Sequence, residues 1–187
     1  LIGKFLGSTL VALIPMLGIS LGIIVGSWMP WLDPVRVGPN LVGPHIQGFL
    51  LFALPNVLFT SAVIFAVAVL TRSTIASFIS AIVLMVGYLI SQSLMSGLEN
   101  EVSGAMLDPF GLNALDQVTK YWTVIEKNSN LLPTNGSLLW NRLLWIAISI
   151  GVFFFGYLRF SFHDRKQKAA SLAEENELVP RKTQDLP

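Results

Sequence analysis

The sequence predicts an all-α protein, a polytopic bundle of four transmembrane helices with one short extracytoplasmic amphipathic helix. Two long apolar runs, residues 47–70 and 74–95, contain no acidic, basic or histidine side chain. As helices they would be about 33–36 Å long, enough to cross a hydrocarbon core of about 30 Å. The chain is 53% hydrophobic and 12% charged, whereas soluble domains carry about 25% charged residues. The charges lie between and after the apolar runs, as in polytopic membrane proteins.

The first predicted span covers residues 5–29 and contains two features of helix packing. Pro15 predicts a kink, because proline has no N–H for the helical hydrogen bond. Gly18, Gly22 and Gly26 recur every four residues and predict a helix-packing seam, since small residues let another helix approach closely. Such a seam serves static packing in most membrane proteins, and helices that slide during transport are the alternative.

The second and third spans, residues 47–70 and 74–95, form a predicted antiparallel hairpin. Only Thr71, Arg72 and Ser73 separate them, so Arg72 marks the hairpin tip. Pro55 predicts a second kink. Its neighbour Asn56 is expected to bond either to the carbonyl that the proline frees or to an adjacent helix.

The long connection after the hairpin contains the predicted amphipathic helix. Asp108 and Pro109 are expected to be its N-cap and its first helical residue. Apolar side chains follow at steps of three and four residues, as on one face of a surface helix: Leu112, Leu115, Val118, Trp122 and Ile125. We expect this helix to lie on the membrane surface or on the mouth of the bundle.

The fourth span, residues 138–158, completes a predicted transmembrane part at residues 1–159. Arg142 lies near its start and is expected to extend its side chain to the membrane interface. Residues 160–187 are predicted to be a cytoplasmic polar tail or linker, with a short soluble helix at 166–177. Because the chain starts at Leu1 and is apolar by Phe5, we expect it to be an internal piece of a longer protein.

The distribution of basic residues predicts the orientation. With both ends inside, the inner segments hold eight basic residues and the outer segments hold four. Cytoplasmic segments of membrane proteins carry the excess of lysine and arginine. The sequence therefore predicts a cytoplasmic C-terminus and a hairpin tip on the cytoplasmic side.

The sequence offers no candidate catalytic, cofactor-binding or metal-ligating residue, and an enzyme is not expected. It has no cysteine and only two histidines, and it lacks the glycine loops, metal-binding helices and nucleophile elbows of common catalytic motifs. A net charge of +1 suggests no nucleic-acid partner. Proton-coupled carriers place ionisable groups within their spans, and here only Arg142 qualifies. Any energy for transport is therefore expected to come from a partner ATPase.

The segment ALPNVLFTSAVIFAVAVLTRSTIASFISAIVLMVGYLISQSLM resembles the fourth and fifth helices of bacterial ABC transporter permeases of the type 2 exporter family. The segments LDPFGLNALDQVTKYWT and LLPTNGSLLWNRLLWIAISIGVFFFGYLRFSF resemble the outer loop and last helix of a branch that is sometimes fused to a zinc aminopeptidase-like domain. The resemblance covers nearly the whole chain, as helices three to six of six.

This resemblance implies an exporter half in the bacterial inner membrane, with a second permease as a homo- or heterodimer partner. It also implies that ATP is bound by a separate ATPase subunit and that this chain carries no cofactor. The alternative is a membrane anchor for a C-terminal soluble peptidase-like domain. A channel is a weaker third option, since no charged ring or filter-like stretch is present.

Overall fold

The computed structural model describes residues 1–33, 38, 41–95 and 101–178, with side chains described through Phe160 except at 94, 95 and 101. The described residues form helices and no strands: α1 (Ile2–Ser27), α2 (Val42–Gly48), a π-helix (Phe49–Ala53), α3 (Leu54–Thr71), α4 (Thr74–Met95), α5 (Glu101–Leu107), α6 (Leu112–Thr119), α7 (Val124–Ser129) and α8 (Ser137–Leu178). Four stretches are long and apolar enough to span a membrane: Ile2–Ser27, Val42–Thr71, Thr74–Ser93 and Ser137–Phe160. The predicted all-α bundle with four candidate spans is confirmed.

Helix α3 lies at the centre of the bundle and contacts α1, α4 and α8. It buries Val57, Phe59, Ala62 and Ala66, whereas no residue in the most apolar part of α4 is buried. Hydrocarbon is as apolar as the side chains themselves, so exposed apolar faces are normal on membrane helices. The outer helices α1 and α4 thus present their apolar surfaces outward, and α3 holds the bundle together.

Aromatic rings join α1 to the centre of the bundle. The ring centroid of Phe5 lies 5.3 Å from that of Phe65 on α3 and 4.3 Å from that of Phe153 on α8. Aromatic pairs at such separations contribute beyond their buried area. Phe5 therefore attaches the N-terminal part of α1 to both inner helices.

The hairpin tip is tighter than the sequence suggested. Helix α3 includes Thr71, so only Arg72 and Ser73 link it to α4. Arg72 has a φ of 53° and donates its backbone N–H to Ala68 O at 2.9 Å, which is a left-handed helix end. The side chain of Ser73 then accepts the backbone N–H of Ala76 at 3.3 Å, so it caps the start of α4.

The second span differs from the prediction around Pro55. Helical structure begins at Val42 rather than at residue 47, and the five residues before Leu54 form a π-helix. Pro55 then lies buried in the first turn of α3. A π-helical turn is wider than an α-helical one, and such local adjustments accommodate proline in membrane helices. The irregularity predicted at Pro55 thus precedes the proline, while α1 continues through Pro15.

Helices α3 and α8 make a close contact away from the predicted glycine seam. A Cβ built at Gly156 would lie 3.2 Å from Ala66 Cα, whereas one at Gly18, Gly22 or Gly26 would have no neighbour within 4 Å. Within the described residues the predicted seam therefore faces no other helix. Its role in packing stays a prediction that concerns a partner outside this part of the chain.

We expect Gly156→Leu to weaken the bundle, because the added side chain would push α8 away from the backbone of α3. The matched control is Gly151→Leu on the same helix, where a Cβ meets open space. Overpacked sites typically lose about 1–3 kcal/mol. Unfolding by SDS titration in detergent measures both variants, and equal midpoints would contradict the close contact at Gly156.

Helix α8 continues well past the fourth span. The predicted boundary at residue 159 falls inside a single helix that ends at Leu178. The expected short helix at residues 166–177 is therefore not separate but the end of α8. At about 1.5 Å per residue, the part beyond Phe160 extends about 27 Å. Residues 179–187 of the predicted tail lie outside the described residues.

The predicted single amphipathic helix is instead two short helices, α6 and α7, and α5 precedes them. We call residues 101–132, which contain these three helices, the cap. Asp108 and Pro109 precede α6 rather than begin it, because α6 starts at Leu112 after Gly111. The carboxylate of Asp108 accepts the backbone N–H groups of Phe110 and Asn113, both at 2.8 Å. Asp108 thus satisfies backbone donors at the start of α6, as a capping residue does, from outside the N-cap position.

The cap is also tied to α2 and has its own local stabilisation at α7. Gln47 accepts the N–H of Leu132 at 2.8 Å and donates to its carbonyl at 2.5 Å. Helix α7 begins with a capping box in which Thr123 and Glu126 exchange hydrogen bonds. The Thr123 N–H and hydroxyl, at 2.7 and 2.8 Å from Glu126 Oε2, favour the ionised carboxylate.

The capping box makes the start of α7 sensitive to acid. Hydrogen bonds from the backbone and the hydroxyl of Thr123 lower the pKa of Glu126 below its ordinary value of 4.5. This stabilisation is therefore complete above that value and is lost as pH falls through the lower pKa of the folded state. We expect faster amide exchange at Glu126 and Lys127 when the pH is lowered below about 4.5. The variant Glu126→Gln should exchange at a rate independent of pH over this range once intrinsic exchange is corrected; an equal pH response would contradict the role of the carboxylate.

Candidate functional site

The main polar site is distinguished by its burial at the end of two spans. Five residues form it, and we call them the Arg142 cluster: Asn56, Asp108, Phe110, Asn141 and Arg142. Asn56 belongs to α3, Asn141 and Arg142 to α8, and the other two to the link between α5 and α6. Arg142 is 2% exposed, and Asn141 and Asp108 are completely buried. The cluster joins the cap to the membrane-spanning bundle.

Asn141 and Trp145 satisfy carbonyl groups at the end of α5. Asn141 Nδ2 donates to Ala105 O at 2.6 Å and to Asp108 O at 2.9 Å. One turn later on α8, Trp145 Nε1 donates to Met106 O at 3.1 Å. The last carbonyls of a helix have no partner within the helix, so α8 supplies donors that α5 lacks.

The guanidinium of Arg142 connects three parts of the chain. Nη1 donates to Asn56 Oδ1 at 2.9 Å and to Phe110 O at 3.0 Å. Nε donates to Asn141 Oδ1 at 2.9 Å, and Nη2 bonds to the same oxygen. Nη2 also approaches Pro109 O at 3.4 Å. The planar fork of arginine suits several fixed acceptors at once, and here it holds α3, α8 and the cap together.

The sequence predicts that the side chain of Arg142 extends outward to the interface, whereas in the structure it is buried within the protein. The acceptors that the described residues offer to its guanidinium are neutral amide and carbonyl oxygens. Its charge is offset by these dipoles, by the negative end of α5 and by the nearby carboxylate of Asp108. A buried charge is tolerated when such hydrogen bonds compensate for lost water. The bond from Arg142 to Asn56 also confirms the predicted link from Asn56 to an adjacent helix.

Gly111 lets the cap approach the guanidinium. Its φ is 75°, and a Cβ built at this position would overlap the guanidinium of Arg142. Glycine adopts a positive φ without strain, and here the space that its missing side chain leaves for Arg142 matters equally. The predicted helix start at Asp108 and Pro109 did not account for Gly111, although its place two residues after Pro109 was the available signal.

A cavity of 530 Å³ adjoins the Arg142 cluster between α1 and the second span. Asn56 and Phe110 belong to both the cluster and the cavity wall. Phe52, another wall residue, has its ring centroid 5.8 Å from Cζ of Arg142, which is within cation–π distance. This volume lies in the range of about 300–1,000 Å³ that small-molecule pockets occupy. The cavity and the cluster together are the candidate functional site.

The other residues selected from the sequence lie apart from this site. Arg72 is at the far end of α3, and Pro15 and the glycine triplet lie on α1, which reaches the cavity through Met16, Ile19 and Ser20. His45 lines the cavity.

Over the described residues, no group of three or more histidine, aspartate or glutamate side chains is placed to hold a metal ion. Comparison of the chain with protein-family models, curated proteins and solved structures finds no match.

Proposed function

We propose that this chain is a membrane-spanning permease part of an ATP-driven ABC exporter in the bacterial inner membrane, with its C-terminus in the cytoplasm. The supporting observation is the cavity of 530 Å³, whose walls belong to two candidate spans, Ile2–Ser27 and Val42–Thr71, and to the cap. A cavity whose walls belong to membrane spans gives a transported molecule a place to bind within the membrane part of the protein. The sequence resemblance adds the ATP-driven class to the proposal.

The Arg142 cluster supports an energy source outside this chain. Arg142 is the charged residue within the candidate spans whose side chain is buried, and its donors are occupied by fixed acceptors. Such a group stabilises structure rather than carrying protons or ions. The proposal therefore assigns ATP binding and hydrolysis to a partner subunit and assigns a second permease to the dimer.

Purification of the full-length protein tests the ATPase partner. Extraction from native membranes in a mild detergent is expected to recover an ATPase subunit together with the permease. The control is Arg72→Gly, which removes the side chain at the hairpin tip. This variant should still recover the ATPase, because the family resemblance places the main ATPase contact in segments before the first span. Recovery of the intact permease without any ATPase, from both proteins, would contradict the proposal.

Cysteine labelling tests the orientation, and the chain is suited to it because it contains no cysteine. Arg72→Cys is expected to react with a membrane-impermeant maleimide only after the cells are opened. Asn128→Cys in α7 is expected to react in intact cells whose outer membrane is permeabilised. Both positions are exposed, so a difference in labelling reports the side of the membrane. The reverse pattern would place the cap in the cytoplasm and contradict the charge-based prediction.

A membrane anchor is the second candidate, and the length of α8 favours it. The helix continues from the fourth span to Leu178 without interruption, which would hold a following domain at a fixed distance from the membrane. Truncation of the full-length protein after Leu178 separates the two candidates. Transport that persists after truncation supports the permease, whereas the absence of transport in both proteins supports the anchor.

A further inference from the structure

We propose that the cavity between α1 and α3 binds a lipophilic molecule that carries one small, uncharged, hydrogen-bonding head group. Most of its wall is apolar, as in pockets for small molecules generally. Met16 and Ile19 line the α1 side, and Phe49, Phe52 and Val57 line the opposite side. The proposal of a binding site depends only on these residues. Its role as the site for transported cargo rests on the proposed export function.

The polar groups of the cavity determine the head group. Asn56 is held within the cluster, since its Oδ1 accepts from Arg142 and its Nδ2 donates to Phe110 O at 3.3 Å. The hydroxyl of Thr60 donates to Asn56 O at 2.9 Å. His45 and Ser20, in contrast, make no side-chain hydrogen bond within the described part of the chain and both are partly buried. One donor–acceptor group on the ligand would find its partners there.

The charge of the wall excludes an ionic ligand. Among the described residues that line the cavity, none is aspartate, glutamate, lysine or arginine, so a charged group would lose its water without an ionic partner. The adjacent guanidinium of Arg142 does not supply that partner, because its donors are committed within the cluster. An uncharged head group, such as a hydroxyl, avoids this cost.

The route into the cavity favours a molecule that is dissolved in the bilayer. On the α1 side, Ile19 is 59% exposed and Met16 is 37% exposed, and both belong to a candidate span. The wall is thus open toward the surface where lipid chains are expected. A molecule that partitions into the membrane would reach the site without crossing water.

Photolabelling with a long-chain fatty alcohol tests the site directly. The probe carries a diazirine in its chain, the full-length protein is held in phospholipid nanodiscs, and adducts are located by mass spectrometry. Gly48→Trp fills the cavity, since Gly48 lines it and a Cβ there meets open space. We expect this variant to lose adducts on the cavity residues by about tenfold. Gly87→Trp on α4, where a Cβ also meets open space, is expected to label like the unchanged protein.

A second pair of measurements tests the head group. The variant His45→Leu is expected to lower labelling by the alcohol about fivefold, which corresponds to the loss of one buried hydrogen bond. Labelling by a diazirine alkane of the same length, which has no head group, is expected to stay unchanged in this variant. A loss with both probes would show that His45 shapes the cavity and would overturn the head-group assignment.

Four results overturn the binding site or its role. Equal labelling of Gly48→Trp and Gly87→Trp overturns the site. A disulfide-linked dimer of Ile19→Cys that prevents labelling shows that a second copy fills the cavity. In the complex with its ATPase, ATP-dependent loss of adducts identifies cargo, and adducts that ignore ATP identify bilayer lipid instead. Specific labelling without a recoverable ATPase overturns the export function but leaves the binding site, so the two failures are distinguishable.

Discussion

Replacing Arg142 with methionine is expected to lower the free energy of unfolding by about 2–6 kcal/mol, because two buried acceptors lose their donor at a cost of about 1–3 kcal/mol each. Methionine fills a similar volume but leaves Asn56 Oδ1 and Asn141 Oδ1 without the donor that each now has, while Phe110 O keeps only the donor from Asn56 Nδ2. Unsatisfied buried acceptors pay the full penalty of lost solvation. The midpoint of SDS unfolding, followed by tryptophan fluorescence, measures this change.

Arg159→Met is the matched control for Arg142→Met. Arg159 lies on the same helix but is exposed. Its Cζ lies 5.9 Å from the ring centroid of Phe155. An exposed contact of this kind is worth about 0.5–1 kcal/mol. Similar losses in both variants would contradict a structural role for the Arg142 cluster.

Arg142→Lys separates the charge from the shape of the guanidinium. Lysine keeps the positive charge, but its ammonium cannot reach Asn56, Asn141 and Phe110 with a planar fork. We therefore expect a stability between those of the unchanged protein and Arg142→Met. A lysine variant as stable as the unchanged protein would show that charge alone matters at this position.

Asn56→Leu combined with Arg142→Met tests whether α3 and α8 are coupled through their side chains. The two residues share the bond from Nη1 to Oδ1, so their effects should not add. We expect the double variant to lose less stability than the sum of the single variants by about 0.5–3 kcal/mol. Additive losses would mean that Asn56 and Arg142 act separately.

The four spans were predictable from the sequence because their signal is simple. Long runs without charge, such as residues 74–95, depend only on composition and length. The Arg142 cluster was not predictable, because it joins residues as far apart as Asn56 and Arg142. The sequence does place a lone arginine at the start of a span. Without known acceptors, extension of its side chain to the surface costs less free energy than burial and is the expected arrangement. Only the fold brings α3, α8 and the cap together, so that their acceptors surround the guanidinium and make its burial possible.

The positions of the π-helix and of the close glycine contact could not be predicted from the sequence either. Pro55 predicted a disturbance, but the wider helical turn falls on Phe49–Ala53, where no residue type announces it. The glycine triplet of α1 matches a known packing pattern but faces no described helix. The close contact between α3 and α8 instead uses a single glycine, Gly156, against Ala66. Small residues permit close approach, and the arrangement of the helices decides which of them are used.

Gly111→Ala is expected to be nearly as damaging as Arg142→Met, because one methyl group acts on both the backbone and the cluster. The backbone cost of a non-glycine residue at a φ of 75° is about 1–2 kcal/mol. The added Cβ would also overlap the guanidinium of Arg142, and the space is closed on the other side by the bonds to Asn56 and Asn141. Arg142 would then have to leave its acceptors, with the consequences described for Arg142→Met.

Gly136→Ala separates the two costs, since Gly136 has the same φ of 75° and a Cβ there meets no atom within 4 Å. It should lose only the backbone contribution, about 1–2 kcal/mol, and keep the cap attached. Cap detachment in Gly111→Ala is measured by the accessibility of Ala114→Cys, since Ala114 is completely buried. We expect rapid maleimide labelling of that cysteine with Gly111→Ala and slow labelling with Gly136→Ala. Equal stability and equal labelling would mean that the cap does not depend on contact with Arg142. A larger loss at Gly111 would show that the close approach of this backbone to the guanidinium holds the cap on the bundle.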